Sequence, residues 1–343
     1  MRPSISRPTR PASSRHDGRR RTAKKDGATM TLLLASSWGD MEPYFGKWRE
    51  MLIGQPGGIE VRLYPDELGD AADITAALVW DPPPGLLAGL PNLKLIQSLG
   101  MGVDHIFRHD DLPEGVPVAR LVDPDLVTRM SEYCVHSVLH YHRDADRYDR
   151  DQAARRWNPV SYPAASTRRV GIMGVGAIGT DTAAKLKHLG FDVAGWSRTP
   201  KDLPGVVGFH GADGFAGFMQ RSEIVVCLLP LTAETEGILD ARAFDLMPFG
   251  GGIINAARGG HVVDADLIAA LDSGKLGFAK LDVFREEPLP RDHPFWRHPK
   301  IRITPHNAGI TNPTTAAAEV AENYRRAMRG EPPNNIVDPA RGY

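Results

Sequence analysis

The stretch LDVFREEPLP, residues 281–290, places Asp282, Glu286 and Glu287 within six positions and closes them with Pro288. Three carboxylates in a charged loop ordinarily make a solvated turn, so their meaning depends on what else the chain brings to them. Two further residues could do chemistry. His306, in TPHN, carries an imidazole, the side chain whose ordinary titration lies nearest neutrality. Arg258, in NAARGG, carries a planar guanidinium that can grip two oxygens at once, which a lysine cannot. An imidazole, a guanidinium and a carboxylate together could transfer a proton and hold an anionic substrate. His136 and His140 are spaced i, i+4, but SVL between them carries no acid and no third ligand is evident, so they read as helix packing and no metal is expected.

These residues need a scaffold, and the clearest piece of one is RRVGIMGVGAIGTDTAAKLKHLGFDVAGWSRTPK, residues 168–201. Its form is strand, glycine turn, helix, strand. Gly174, Gly176 and Gly179 make G-x-G-x-x-G in the context a dinucleotide fingerprint requires. The first glycine permits the tight turn, the second lets a pyrophosphate approach the backbone, and the third allows helix and strand to pack closely. An acid for the adenosine ribose is absent from the end of the second strand. Ser197, Arg198 and Thr199 stand there instead, followed by Lys201, and suit a 2′-phosphate, so NADP(H) is favoured over NAD(H).

Further strands are expected at 223–230, 251–258, 277–284 and 301–306, mostly separated by helical stretches, which describes a doubly wound parallel sheet. Ligands bind beyond the carboxyl ends of such strands. The residues expected at those ends are Gly174, Ser197, Pro230, Arg258, Asp282 and His306, so the chemistry shares one rim with the cofactor. Upstream, LGMGVD follows the strand LKLIQS, and the backbone N–H groups of Leu99, Gly100, Met101 and Gly102 could cradle a substrate carboxylate. Asp104 reads as a cap for a following helix.

A length of 343 residues fits two domains, and no apolar run is long enough to span a bilayer. The two cysteines, Cys134 and Cys227, are too few and too apolar in setting for a disulfide framework, which points to a reducing, cytoplasmic home. Residues 1–29 hold nine Lys/Arg against two Asp/Glu, which leaves 32 basic and 40 acidic residues in an acidic body. With almost no large apolar residues this leading segment is expected to be a disordered basic tail, and without interleaved aromatics it gives no sign of nucleic-acid binding. Met30 opens MTLLLASS, the expected first strand.

From about Met30 to Tyr343 the chain resembles the D-isomer-specific 2-hydroxyacid dehydrogenases, in particular their glyoxylate/hydroxypyruvate reductase A branch. The likeness rests on ALVWDPP, SLGMGVDHI, the glycine fingerprint, WSRT, LLPLTAET, INAARGGHVVDADLIAALDSGK, LDVFREEPLP, TPHNAGIT and VDPARGY, found in that order. It implies Arg258 as the substrate-binding arginine, Glu287 as the acid partner and His306 as the proton donor. It also implies a cofactor-binding set of Ala177 and Ile178 in the glycine turn, Leu229, Pro230 and Thr235 in LLPLTAET, and Ala256, Arg258, Asp282 and His306. Asp282 is expected at the nicotinamide carboxamide or its ribose, Glu287 at His306, and Glu286 in solvent.

The fingerprint lies mid-chain, so something folds before it. The expected arrangement is a Rossmann nucleotide-binding domain, residues 125–307, inserted into a flavodoxin-like substrate domain, residues 30–124 and 308–343. The chain crosses twice and leaves a cleft between the domains. The long helical stretch from Thr128 to Trp157 is, by resemblance, the arm of a homodimer; from the sequence alone it could equally be a helix within the domain. Trp38, Met101 and Trp157 are expected to set pocket size. Two classes of function remain open in the sequence: a reductase of small 2-keto acids, glyoxylate and hydroxypyruvate or a bulkier one, and a dinucleotide-sensing binding module such as the corepressor relative of this family.

Overall fold

The computed structural model describes residues 30–38, 42–108 and 111–339; the basic tail expected at 1–29 lies outside the described residues. Two parallel sheets organise the chain. The first contains β1 (Thr31–Ser36), β2 (Glu60–Leu63), β3 (Ala76–Trp80), β4 (Leu95–Ser98) and β5 (Val118–Ala119) in the order β2-β1-β3-β4-β5, the flavodoxin-like order. Leu32, Leu33, Leu34 and Ala35 are all fully buried, as a parallel strand covered on both faces requires. One face packs on α1 (Glu42–Ile53) around Trp48 and Leu52, and the other on the segments carrying Leu86, Leu90, Val103 and Ile106.

The chain then enters α2 (Pro124–His142), where Asp123 accepts from the Asp125 N–H and Pro124 takes the first helical turn. The single long helix expected to Trp157 is instead two. Asp144 adopts φ 53°, which breaks the run, and α3 (Ala145–Ala153) follows it, stopping short of Trp157.

The second sheet contains β6 (Arg169–Met173), β7 (Asp192–Ser197), β8 (Val207–His210), β9 (Ile224–Cys227), β10 (Gly251–Asn255), β11 (Leu276–Leu281) and β12 (Ile301–Ile303). Their order is β12-β11-β10-β9-β6-β7-β8, a doubly wound Rossmann arrangement that reverses at the β6/β9 boundary. On one face lie α2 and α4 (Ala177–His188); on the other lie α5 (Gly211–Arg221), α6 (Ala241–Leu246) and α7 (Asp264–Asp272), around Phe218, Phe244 and Leu267. Four strands end earlier than expected, at Cys227, Asn255, Leu281 and Ile303. The residues beyond them leave the ladder and form the rim loops. Finally α8 (Pro313–Met328) returns to the first sheet, where Val320, Ala321 and Tyr324 join its core.

Among the described residues no helix is long and apolar enough to cross a membrane. Cys134 and Cys227 are both free and buried.

Candidate active site

The glycine turn joins β6 to α4 at the point where the strand order reverses. Gly174 has φ +99°, and a Cβ there would meet the Leu228 carbonyl oxygen at 2.7 Å; one on Gly179 would meet the Gly174 oxygen at 2.0 Å. Both positions therefore exclude a side chain. At Gly176 a Cβ would meet nothing within 4 Å, and no side chain caps the start of α4 at Ala177 and Ile178. An open glycine before an uncapped helix N-terminus is suited to a pyrophosphate. At the end of β7, the Ser197 hydroxyl donates to the Thr199 carbonyl at 2.8 Å, while Arg198 and Thr199 are exposed. Glu234, on the facing loop, is held below the usual carboxylate range, first by the Thr232 hydroxyl and also by the Arg198 guanidinium. That loop is braced by the Thr235 hydroxyl, which donates to the Pro230 carbonyl at 2.7 Å and accepts from the Thr232 N–H at 2.9 Å. Leu229 and Ala256 are buried beneath it.

The carboxylates of LDVFREEPLP separate into three different positions. Glu287 Oε2 lies 2.7 Å from His306 Nδ1, and its Oε1 accepts from the Phe284 N–H at 2.8 Å. Glu286 is exposed. Asp282 is 1% exposed, and its carboxylate accepts from the Thr304 hydroxyl at 2.6 Å and from the N–H groups of Asn307 and Ala308 at 3.0 and 2.9 Å. Its carbonyl also receives the His306 N–H at 2.8 Å. Asp282, expected at the nicotinamide, is thus turned into residues 304–308, where it anchors the backbone on both sides of His306. That support matters because His306 has φ 51°, a left-handed conformation that costs a non-glycine residue energy. With Nδ1 engaged by Glu287, Nε2 is the ring nitrogen left without a partner among the described residues.

Arg258 reaches across from the end of β10 towards the first sheet. Its Nε donates to Asp104 Oδ1 at 2.8 Å and its Nη1 to the Ala257 carbonyl at 2.7 Å, but Nη2 is buried with no hydrogen-bond partner among the described residues. An unpaired buried donor costs about 1–3 kcal/mol, so this nitrogen calls for an anionic ligand. It points at the LGMG loop, where a Cβ on Gly102 would stand 1.6 Å from it. Asp104, expected to cap a helix, has no helix to cap, because residues 104–108 form turns. Burial alone would raise its carboxyl, but the Arg258 guanidinium outweighs that and holds it below the usual range.

The cradle is narrower than expected. The Leu99 N–H donates to the Val79 carbonyl at 2.9 Å and the Gly100 N–H to the Ser98 hydroxyl at 3.2 Å. Only the N–H groups of Met101 and Gly102 have no partner among the described residues.

Two tryptophans wall the site. Trp38 and Trp80 stand edge-on to the His306 ring, with centroids 5.4 and 5.7 Å away, and the Arg258 guanidinium lies 5.7 Å from the Trp80 ring. Trp80 in turn packs on His105 at 4.3 Å. Burial pushes His105 down to about 4, and geometry gives the reason. Its Nδ1 must accept the Asp81 N–H at 3.0 Å, so the ring is neutral with its proton on Nε2, facing the Gly102 carbonyl at 3.2 Å. His105 therefore fixes the loop that holds Gly102. Trp157 is 97% exposed and lines no part of the site within one chain. The sequence reading missed Trp80, Asp104 and His105 as site residues, although all three lie in or beside ALVWDPP and SLGMGVDHI. His136 and His140 take no part in it: the His140 ring pairs with Asp146 at 2.9 Å, and Asp146 also binds Arg302. Among the described residues no group of three His, Cys, Asp or Glu could hold a metal ion.

Two parallel-sheet α/β units with a glycine turn where the larger sheet reverses are the architecture of a dinucleotide-dependent oxidoreductase. Residues 135–308 match the family model described as D-isomer specific 2-hydroxyacid dehydrogenase, NAD binding domain, and the chain belongs to that family. A glyoxylate/hydroxypyruvate reductase A from Yersinia enterocolitica is 42% identical over 280 residues, covering 80% of this chain and 90% of that protein. The crystal structure of a D-isomer specific 2-hydroxyacid dehydrogenase from Xanthobacter autotrophicus Py2, in complex with NADPH and MES, is 44% identical with a TM-score of 0.86, covering 92% of this chain and all of that one. An NADPH-dependent glyoxylate/hydroxypyruvate reductase from Sinorhizobium meliloti, solved with NADP and sulfate, is 36% identical with a TM-score of 0.85, over 92% and 100% of the two chains.

Proposed function

We propose that this chain reduces small 2-keto acids, glyoxylate to glycolate and hydroxypyruvate to D-glycerate, with NADPH. One observation carries the reading: the unpaired Arg258 Nη2 faces the Gly102 loop, on the same rim as a His306–Glu287 pair. In this reading Gly174, Gly176, Ala177, Ile178 and Gly179 hold the pyrophosphate. Ser197, Arg198 and Thr199 meet the 2′-phosphate, and Leu229, Pro230, Thr235 and Ala256 line the rest of the cofactor seat. The bound nicotinamide supplies the hydride. Arg258 and the N–H groups of Met101 and Gly102 grip the substrate carboxylate and turn its carbonyl towards His306. Nε2 of His306 then gives the carbonyl oxygen its proton, while Glu287 keeps Nδ1 occupied and the ring aimed. The Trp38 and Trp80 rings crowd His306, at 5.4 and 5.7 Å between centroids, which favours glyoxylate and hydroxypyruvate over bulkier acids.

The domains in this reading are residues 30–124 with 308–343, and 125–307. Closure about the two crossings excludes water from the hydride path. The chain works as a cytoplasmic homodimer through the α2–α3 arm, a reading supported by the bare Trp157 beyond it and by two unpaired buried cysteines. The decisive assay follows NADPH oxidation across a panel of 2-keto acids. Turnover fastest on glyoxylate and hydroxypyruvate supports the reading, and cofactor binding without turnover on any of them overturns it.

A further inference from the structure

INAARGGHVVD contains a histidine that the proposed reaction leaves without a role. His261 is 0% exposed and closes the short turn Gly259–His261 directly after Arg258. Its Nδ1 lies 3.0 Å from the Arg258 carbonyl oxygen and its Nε2 lies 3.2 Å from the Pro230 carbonyl oxygen. Both neighbours can only accept. A neutral imidazole has one N–H and would face one of these oxygens with a bare lone pair; only the imidazolium donates to both.

We propose that His261 is held as a buried imidazolium and acts as a positioning residue, tying the 230–235 loop of the cofactor seat to the peptide that carries Arg258. The proposal rests on the reading of those two segments as cofactor seat and substrate grip. The tie belongs to a continuous chain of bonds. The Thr235 hydroxyl donates to the Pro230 carbonyl at 2.7 Å, His261 bridges Pro230 to Arg258, and Asn255 Nδ2 donates to the Arg258 carbonyl at 2.8 Å. A shift of the loop is therefore passed to the backbone of Arg258 through one imidazole.

The surroundings suit a charged ring. Burial on its own would favour the neutral form, but the Cys227 side chain from β9 and the two carbonyls outweigh it, so the pKa is raised. Arg285 bonds the Gly260 and Val262 carbonyls on the flanking peptides and pairs with Glu236 at 3.5 Å, and the Arg258 guanidinium is turned away to Asp104. His105 is nearly as buried yet neutral, because a backbone N–H and not a carbonyl faces its Nδ1.

Two measurements test this. Nitrogen-15 NMR of the histidine-labelled full chain, at about pH 8, above the ordinary imidazole range, should show one histidine with two slowly exchanging ring N–H protons. If every buried histidine carries a single ring N–H at that pH, the proposal is overturned. This measurement needs neither turnover nor a variant, so its outcome is separate from that of the keto-acid assay. The second is steady-state kinetics of His261→Gln with NADPH and the keto acid that turns over. KM for both should rise together by about tenfold, with kcat within about threefold, and the increase of both KM values at high pH in the parent should be absent. A variant that melts earlier but keeps both KM values has lost only a structural contact, and the positioning role fails. If the variant does not fold, the parent's pH profile decides: both KM values rising together only above about pH 8 support the tie, and KM values that are pH-independent or already rise near neutrality overturn it.

Discussion

The Nη2 of Arg258, carried by the seven-stranded unit, stands 1.6 Å from the point where a Cβ on Gly102, in the five-stranded unit, would be. The guanidinium fills the side-chain place that the glycine leaves, so the two sheets' loops touch at this point. Gly102→Ala should push the guanidinium aside and raise KM for glyoxylate by about ten- to a hundredfold, the equivalent of one charged hydrogen bond at about 1.5–3 kcal/mol. KM for NADPH and the melting temperature should hardly change. An unaltered glyoxylate KM would place the carboxylate grip elsewhere.

Glu287 and Glu286 are chain neighbours with opposite prospects. Glu287→Gln replaces a charge-assisted bond to His306 Nδ1 with a neutral one and frees the ring to turn, so kcat should fall by about ten- to a hundredfold. Glu286→Gln, at an exposed side chain, should leave kcat and KM within about twofold of the parent. Side-by-side turnover of the two variants is the check, and the reverse ranking would mean that the pair seen at 2.7 Å does not operate in catalysis.

Arg198 should decide between the two nicotinamide cofactors. Arg198→Ala removes a guanidinium from the end of β7 and should weaken NADPH by about ten- to a hundredfold while leaving NADH nearly unchanged. Dissociation constants for both, from protein fluorescence, read this directly. Equal losses would show that Arg198 does not meet the 2′-phosphate.

His105 gives the fold an acid limit. Its pKa falls from the ordinary 6.5 to about 4, so the unfolded chain binds the proton more tightly than the folded one. The stability at stake is complete above about pH 6.5 and is lost progressively down to about pH 4, about 3 kcal/mol in all. Urea midpoints between those limits should fall more steeply for the parent than for His105→Gln, which has no group to titrate there. Parallel curves would contradict the locked neutral ring.

Much of this was legible in the sequence because it depends on chain-local patterns. The glycine turn and the doubly wound sheet follow from spacing read against a strand–turn–helix frame, whereas the Glu287–His306 pairing came from the family resemblance. Details set by backbone geometry were not legible. The break at Asp144 needs a left-handed residue inside an otherwise unbroken helical pattern. The inward turn of Asp282 depends on N–H groups of residues 307 and 308 that only the folded loop presents. Asp104 reads as a cap by residue type, and its bond to Arg258 spans two domains, which no local pattern reveals. The N–H groups of Leu99 and Gly100 looked free for the same reason, since their acceptors, Val79 and the Ser98 hydroxyl, are set by the ladder and the turn.

The anchors around His306 also set a limit on travel. Ala308 is bonded to Asp282 in one domain, and the Thr311 hydroxyl is bonded to the Leu99 carbonyl, at 2.7 Å, in the other. Only Gly309 and Ile310 lie between these anchors. Three residue steps reach at most about 10–11 Å, so the two halves cannot part further than that at this point unless an anchor gives way. His306 thus sits at the fixed end of a short tether that runs beside the start of α2, where the Thr315 hydroxyl donates to Asp123 at 2.6 Å, so any wider gape of the cleft must hinge about this point, where the two crossings lie together.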